Sequence, residues 1–60
     1  MRICLKRKIS VGNKSLQKHQ EGFILGIHWS EDGKFQYYVD FGKEGSYIVE
    51  SSECDILNAT

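Results

Sequence analysis

Sixty residues allow one domain and one hydrophobic core. At that length folding buries only about 60% of the surface exposed by the unfolded chain, so each large apolar side chain matters to stability. With 40% hydrophobic residues, among them Trp29, three Phe and three Tyr, the composition excludes a disordered segment, and a formal net charge of zero weighs against a generally phosphate-binding chain.

The N-terminal segment alternates. Ile3, Leu5, Ile9 and Val11 fall on one side, with Arg7 interrupting the row, and Cys4, Lys6, Lys8 and Ser10 fall on the other. This predicts a strand with a cationic outer face. Basic residues open the chain without a following apolar run of the signal-peptide kind, so a cytoplasmic protein is expected. Residues 12–20 show no periodicity and many polar side chains, which predicts a long loop.

The strongest pattern follows. In Phe23-Ile24-Leu25-Gly26-Ile27-His28-Trp29 the residues Phe23, Leu25, Ile27 and Trp29 share one face, and in the next run Phe35, Tyr37, Val39 and Phe41 do the same. Both read as half-buried strands by alternation and by aromatic and β-branched content. Between them, Asp32-Gly33 is expected to supply the positive φ angles of a tight hairpin turn. Phe23, Phe35, Tyr37 and Phe41 are the expected aromatic core. Trp29, at the hairpin mouth, and Tyr38, out of phase with its strand's core row, are the aromatics free to serve as a contact surface.

Gly42-Lys43-Glu44-Gly45 makes a second turn and residues 46–50 a third strand of the meander. Residues 51–57 then read as one helical turn, N-capped by Ser52 with Asp55 three residues on, Ile56 and Leu57 plugging an end of the core. The resulting expectation is an all-β, single-domain chain, residues 1–60. It is a five-stranded SH3-like barrel with one short helical turn near the C-terminus, closure of the sheet removing its exposed edges.

Residues 21–57 resemble the Tudor and KOW-type members of that group. Glu21-Gly22-Phe23-Ile24-Leu25-Gly26-Ile27 resembles their strand entered through a glycine, Tyr38-Val39-Asp40-Phe41-Gly42 the strand ending in acid, aromatic and glycine, and Asp55-Ile56-Leu57 the turn that caps these barrels. In Tudor modules a methylated cation sits in an aromatic cage fed partly from the first loop. Here residues 13–20 hold no aromatic and two lysines, Lys14 and Lys18, which would repel a cation. The resemblance therefore implies the fold but not methyl-mark reading.

Charge is segregated along the chain. Residues 1–20 carry Arg2, Lys6, Arg7, Lys8, Lys14 and Lys18 and no acid, whereas residues 21–60 set two lysines against eight acids, a balance of six negative. Cross-strand ion pairs are the simplest resolution of that asymmetry. Cys4, Cys54, His19 and His28 lack the spacing of a metal site, and two cysteines do not make a disulfide framework, although pairing of the first and last strands would bring them near each other. No nucleophile–base or paired-carboxylate motif is visible, and a small barrel has little concave surface for one, so an enzyme, a cofactor and a metal are not expected. No apolar stretch approaches the ~20 residues that span a bilayer as a helix, so no membrane partner is expected either.

The expected function is a small non-catalytic module, an accessory subunit in type, that binds a partner protein through Trp29, Tyr38, Lys14, Lys18 and His19 together with the turn at residues 42–45. The alternative is nucleic-acid binding through Arg2, Lys6, Lys8, Lys14 and Lys18, with base stacking on Trp29 or Tyr38. Homo-oligomerisation through an exposed strand edge is a third reading.

Overall fold

A computed structural model describes residues 1–57 of the chain. They form an all-β fold of seven strands: β1 (Arg2–Leu5), β2 (Ile9–Val11), β3 (Lys14–Leu16), β4 (Glu21–Trp29), β5 (Phe35–Asp40), β6 (Ser46–Glu50) and β7 (Cys54–Leu57). Five make one antiparallel sheet in the order β6-β5-β4-β1-β7, and β2 and β3 form a separate two-stranded hairpin. The five-stranded sheet is open, with β6 and β7 as its edges.

The expected first strand is two. Lys6-Arg7-Lys8 bends the chain between β1 and β2, because Arg7 falls on the row of Ile3 and Leu5 and its charge cannot follow them into the core. The expected loop at residues 12–20 is half strand: Gly12, at φ 59°, turns the chain so that Lys14–Leu16 pairs back onto Ile9–Val11. This hairpin belongs to the core, since Leu16 is fully buried beside Ile3, Leu5 and Val39.

The expected helical turn at residues 51–57 is also corrected. Only Ser51–Glu53 is helical, a single 3-10 turn whose flanking Glu50 makes no side-chain cap. Cys54–Leu57 is strand β7, paired antiparallel to β1 with Leu5 opposite Cys54 and Arg2 opposite Leu57. Ser52 is therefore not a cap, and Asp55-Ile56-Leu57 is not a capping turn. Cys54, rather than Ile56, enters the core, and Ile56 stays exposed on the pleat. Pairing with β1 gives the backbone of residues 54–57 a full ladder, which one isolated helical turn cannot supply.

The hairpin between β4 and β5 forms as expected, but only Gly33 has positive φ, at 83°. The Gly33 amide donates to the Ser30 carbonyl (3.1 Å) and the Ser30 amide to the Lys34 carbonyl (2.9 Å), so Asp32 keeps ordinary backbone angles. Asp32 instead accepts a hydrogen bond from the Ser30 hydroxyl, which holds its carboxyl below the usual range. After β5, residues 42–44 form a 3-10 turn held by the Gly42 amide donating to Asp40 Oδ1 (2.8 Å).

The core comprises Ile3, Leu5, Leu16, Tyr37, Val39, Phe41, Val49 and Cys54, with Ile9, Val11, Ile24 and Tyr47 packed around it. Tyr37 and Phe41 are core as expected, and Phe35 is half-buried. Phe23 is not core: it is 57% exposed. The reason lies in β4. Gly22 lies opposite Ile3, and Ile24 lies opposite Val39, so these two, out of phase with Phe23, face inward. A bulge between Ile24 and Gly26 then leaves Leu25 without a directly opposed residue and changes the phase of the strand. Beyond it Ile27 lies opposite Tyr37 and Trp29 opposite Phe35, on the core-facing side but past the packed core. The expected row Phe23, Leu25, Ile27, Trp29 is thus split between two faces, and all four side chains are exposed.

Candidate partner-binding surface

The solvent side of the sheet carries the feature that a monomeric domain does not need. Across the three strands β4, β5 and β6, Gly26, Tyr38 and Ile48 lie directly opposite one another. Tyr38 is 46% and Ile48 62% exposed, and a Cβ built on Gly26 would meet nothing within 4 Å. Tyr38, on the middle strand, stands between Ile48 and the bare backbone of Gly26, so its ring rises beside a notch that no β4 side chain fills. Here it opens into a shallow hollow of about 300 Å³ lined by Gly26, Ile27, His28, Gln36, Tyr38 and Ile48. Phe23, opposite Asp40, extends the exposed apolar surface along β4 on this side. A larger hollow of about 730 Å³ lies at the end of the hairpin, lined by Gly33, Lys34, Phe35, Glu50, Ser51 and Ser52. Phe35 gives it an apolar wall, which Lys34, Glu50, Ser51 and Ser52 surround with charged and hydroxyl groups.

The expected contact residues do not form one patch. Tyr38 stands at the centre of the apolar hollow. Trp29, 63% exposed, stands on the opposite face of the sheet, its ring edge-on to Phe35 with the planes at 82°. The bulge separates the two, because it brings Trp29 into phase with Tyr37 rather than Tyr38. Lys14 lies in β3 opposite Val11, and Lys18 and His19 lie in the turn that leads into β4. His19 adopts the left-handed conformation, φ 73°, and its amide donates to the Leu5 carbonyl at 2.9 Å. None of the extensive strand-to-strand contacts joins the β2–β3 hairpin to β4 or β5. Sequence reasoning missed Gly26, Ile48 and Phe23 as surface residues. A glycine inside a strong strand pattern was the available signal.

The basic residues are divided as well. Arg2 pairs with Glu21 (3.0 Å), Lys6 with Asp55 (3.6 Å) and Arg7 with Glu53 (3.2 Å), each joining the N-terminal segment to an acidic one. Arg2 and Lys6 are therefore engaged within the fold, while Lys8, Lys14 and Lys18 make no ion pair among the described residues. The pairs are largely exposed, and each contributes roughly 0–1 kcal/mol.

Cys4 and Cys54 are free thiols. Cys54 lies opposite Leu5 and Cys4 opposite Asp55, so the two point to opposite faces of adjoining strands and no bridge joins them. Burial, with the Asp55 carboxylate beside it, pushes the Cys54 thiol above its ordinary range, which keeps it protonated and unreactive. Among the described residues no three His, Cys, Asp or Glu side chains converge on a point that could hold a metal ion, and no helix is long and apolar enough to cross a membrane. Comparison with known protein families, with curated proteins and with solved structures gives no match to this chain.

Proposed function

We propose that the chain is a small SH3-like barrel module that binds a partner protein and performs no catalysis. The fold part of this reading is supported by the five-strand order β6-β5-β4-β1-β7, by the hairpin that sends Leu16 into the core, and by the 3-10 turn linking β6 to β7. Together these bring one antiparallel sheet and a hairpin onto a single core, the parts from which a small barrel is built, and the likeness of residues 21–57 to Tudor and KOW-type domains points the same way.

The functional part rests on one observation: the exposed apolar hollow in which Tyr38 stands between Ile48 and the bare backbone of Gly26. Contiguous apolar surface costs a small domain solubility and, in a functional protein, marks a contact site. An apolar side chain or an extended segment of the partner fits the notch, with His28 and Gln36 at hand for hydrogen bonds. Phe23, Leu25 and Trp29 lie outside the hollow. Affinity capture from the native host tests this. Tyr38→Ala is expected to abolish capture of the partner while the circular dichroism spectrum is unchanged. Retained capture by folded Tyr38→Ala and Gly26→Val variants removes this surface.

Nucleic-acid binding is the competing reading, favoured by Lys8, Lys14 and Lys18. A mobility shift that appears at low salt and collapses as salt rises would support it over protein binding.

A further inference from the structure

The sheet ends on β6, and that edge is unguarded. Natural edge strands are protected by lysine, proline, a bulge or a covering segment. Ser46-Tyr47-Ile48-Val49-Glu50 has no lysine and no proline, pairs with β5 in unbroken register, and makes no other backbone–backbone hydrogen bond among the described residues. The opposite edge, β7, is shorter and carries Asp55 in an ion pair with Lys6.

We infer that β6 pairs antiparallel with β6 of a second copy of this chain, about a two-fold axis through Ile48. Side chains opposite each other across an antiparallel pair must lie on the same face, which restricts the register to even offsets. Centring on Ile48 uses all five residues of the strand. On the solvent face Ile48 meets Ile48 of the second copy, and Ser46 meets Glu50. On the inner face Tyr47 meets Val49. No like charges oppose one another, the serine hydroxyl can donate to the carboxylate, and the aromatic–aliphatic and aliphatic pairs are those that stabilise neighbouring strands. A two-fold interface must be self-complementary in this way, whereas an unrelated strand has no reason to match the symmetry of the sequence about Ile48. The pairing also joins the Tyr38–Ile48 rows of the two copies into one apolar strip. It leaves Phe23, on the far side of β4, free.

The test is molar mass by light scattering or sedimentation over a concentration series, together with cysteine cross-linking. The contact is small, so a dimer with Kd of roughly micromolar to hundreds of micromolar is expected. Ile48→Lys sets two ammonium groups against each other and should give a folded monomer, since Ile48 is exposed and its loss leaves no core cavity. In a Cys4→Ser background, Ile48→Cys should form a disulfide-linked dimer under mild oxidation, because directly opposed residues stand within disulfide reach. Phe23→Cys in the same background should stay monomeric. A chain that remains monomeric up to about 1 mM overturns the inference. So does cross-linking through Phe23→Cys as readily as through Ile48→Cys, which would mean that the copies stack face to face.

Discussion

Gly22 is fixed by close approach, and this gives the sharpest quantitative test of the fold. A Cβ placed there would lie 2.6 Å from Val39 Cγ1, 2.9 Å from the Asp40 carbonyl oxygen and 2.9 Å from Phe41 Cδ1. The valine and phenylalanine are buried, and the carbonyl belongs to the backbone of β5, so none can rotate away. Forcing a methyl group into such a site costs about 1–3 kcal/mol or somewhat more. Reduced freedom of the unfolded chain returns about 0.4–1 kcal/mol. The expected net effect of Gly22→Ala is a loss of about 2 kcal/mol. In a 60-residue chain that is a large part of a total stability of roughly 3–9 kcal/mol. At about 4–8 °C per kcal/mol, the melting temperature should fall by about 8–16 °C. Gly26→Ala is the control: its Cβ enters open space and its φ is not positive, so stability should hold or rise by up to about 1 kcal/mol. Thermal and urea unfolding followed by circular dichroism measure both. Equal melting temperatures for Gly22→Ala and the wild type would refute the placement of Gly22 against β5, and with it the inward phase of β4 before the bulge.

Leu16→Ala should cost about 2–5 kcal/mol by urea unfolding, because Leu16 is fully buried; a loss below about 1 kcal/mol would mean that the β2–β3 hairpin is only a surface loop. The Cys54 thiol is raised by burial and by Asp55, so its contribution to stability is complete below the ordinary thiol pKa of about 8.5 and is lost as pH rises through the higher folded-state value. The difference in urea midpoint between wild type and Cys54→Ala should therefore shift against the wild type above that pH, and native-state alkylation should label Cys4 first. Asp32 behaves in the opposite sense: its lowered pKa gives a contribution present above the usual carboxylate range and lost as pH falls through the lowered value. Ser30→Ala should move the Asp32 titration, followed by NMR, back upward. His19→Gly should raise stability by up to about 1 kcal/mol in urea unfolding, since φ 73° strains a residue with a Cβ.

How much of the fold was legible in the sequence depended on whether local pattern and tertiary demand agreed. In β5 they agreed: Tyr37 and Val39 face the core as alternation predicts, and Phe41 follows them inward. In β4 the same pattern misled, because both rows of the strand carry apolar residues. Period-two alternation names two faces and cannot say which is inside. Gly22 and Ile24 took the inner side because β5 approaches β4 so closely that only a glycine fits at one position, a constraint written in three dimensions and not in spacing. Residues 14–16 and 54–57 were missed for a related reason. Strands of three or four residues hold too few alternations to register, and a partner strand rather than propensity makes them extended.

The candidate site was legible in part, and its unread portion has the same origin. Tyr38 stands out from the sequence because it breaks phase with Tyr37 and Val39, and its exposure follows directly. Sequence position groups Trp29 with it because both flank one hairpin. The bulge at Leu25 separates them, and bulges carry no reliable sequence mark beyond a nearby glycine. That single extra residue also frees Gly26 from opposing a core position and sets it beside Tyr38, on the side away from Ile48, on the solvent face. The feature that defeats the alternation argument is therefore the one that builds the apolar notch, and deleting Leu25 should test both at once. With Leu25 removed, Gly26 follows Ile24 directly and the ladder closes without a bulge, Gly26 still opposite Tyr38 and His28 still opposite Gln36. A Leu25 deletion that folds should therefore keep partner capture, and loss of capture by the folded deletion would refute the placement of the extra residue at Leu25.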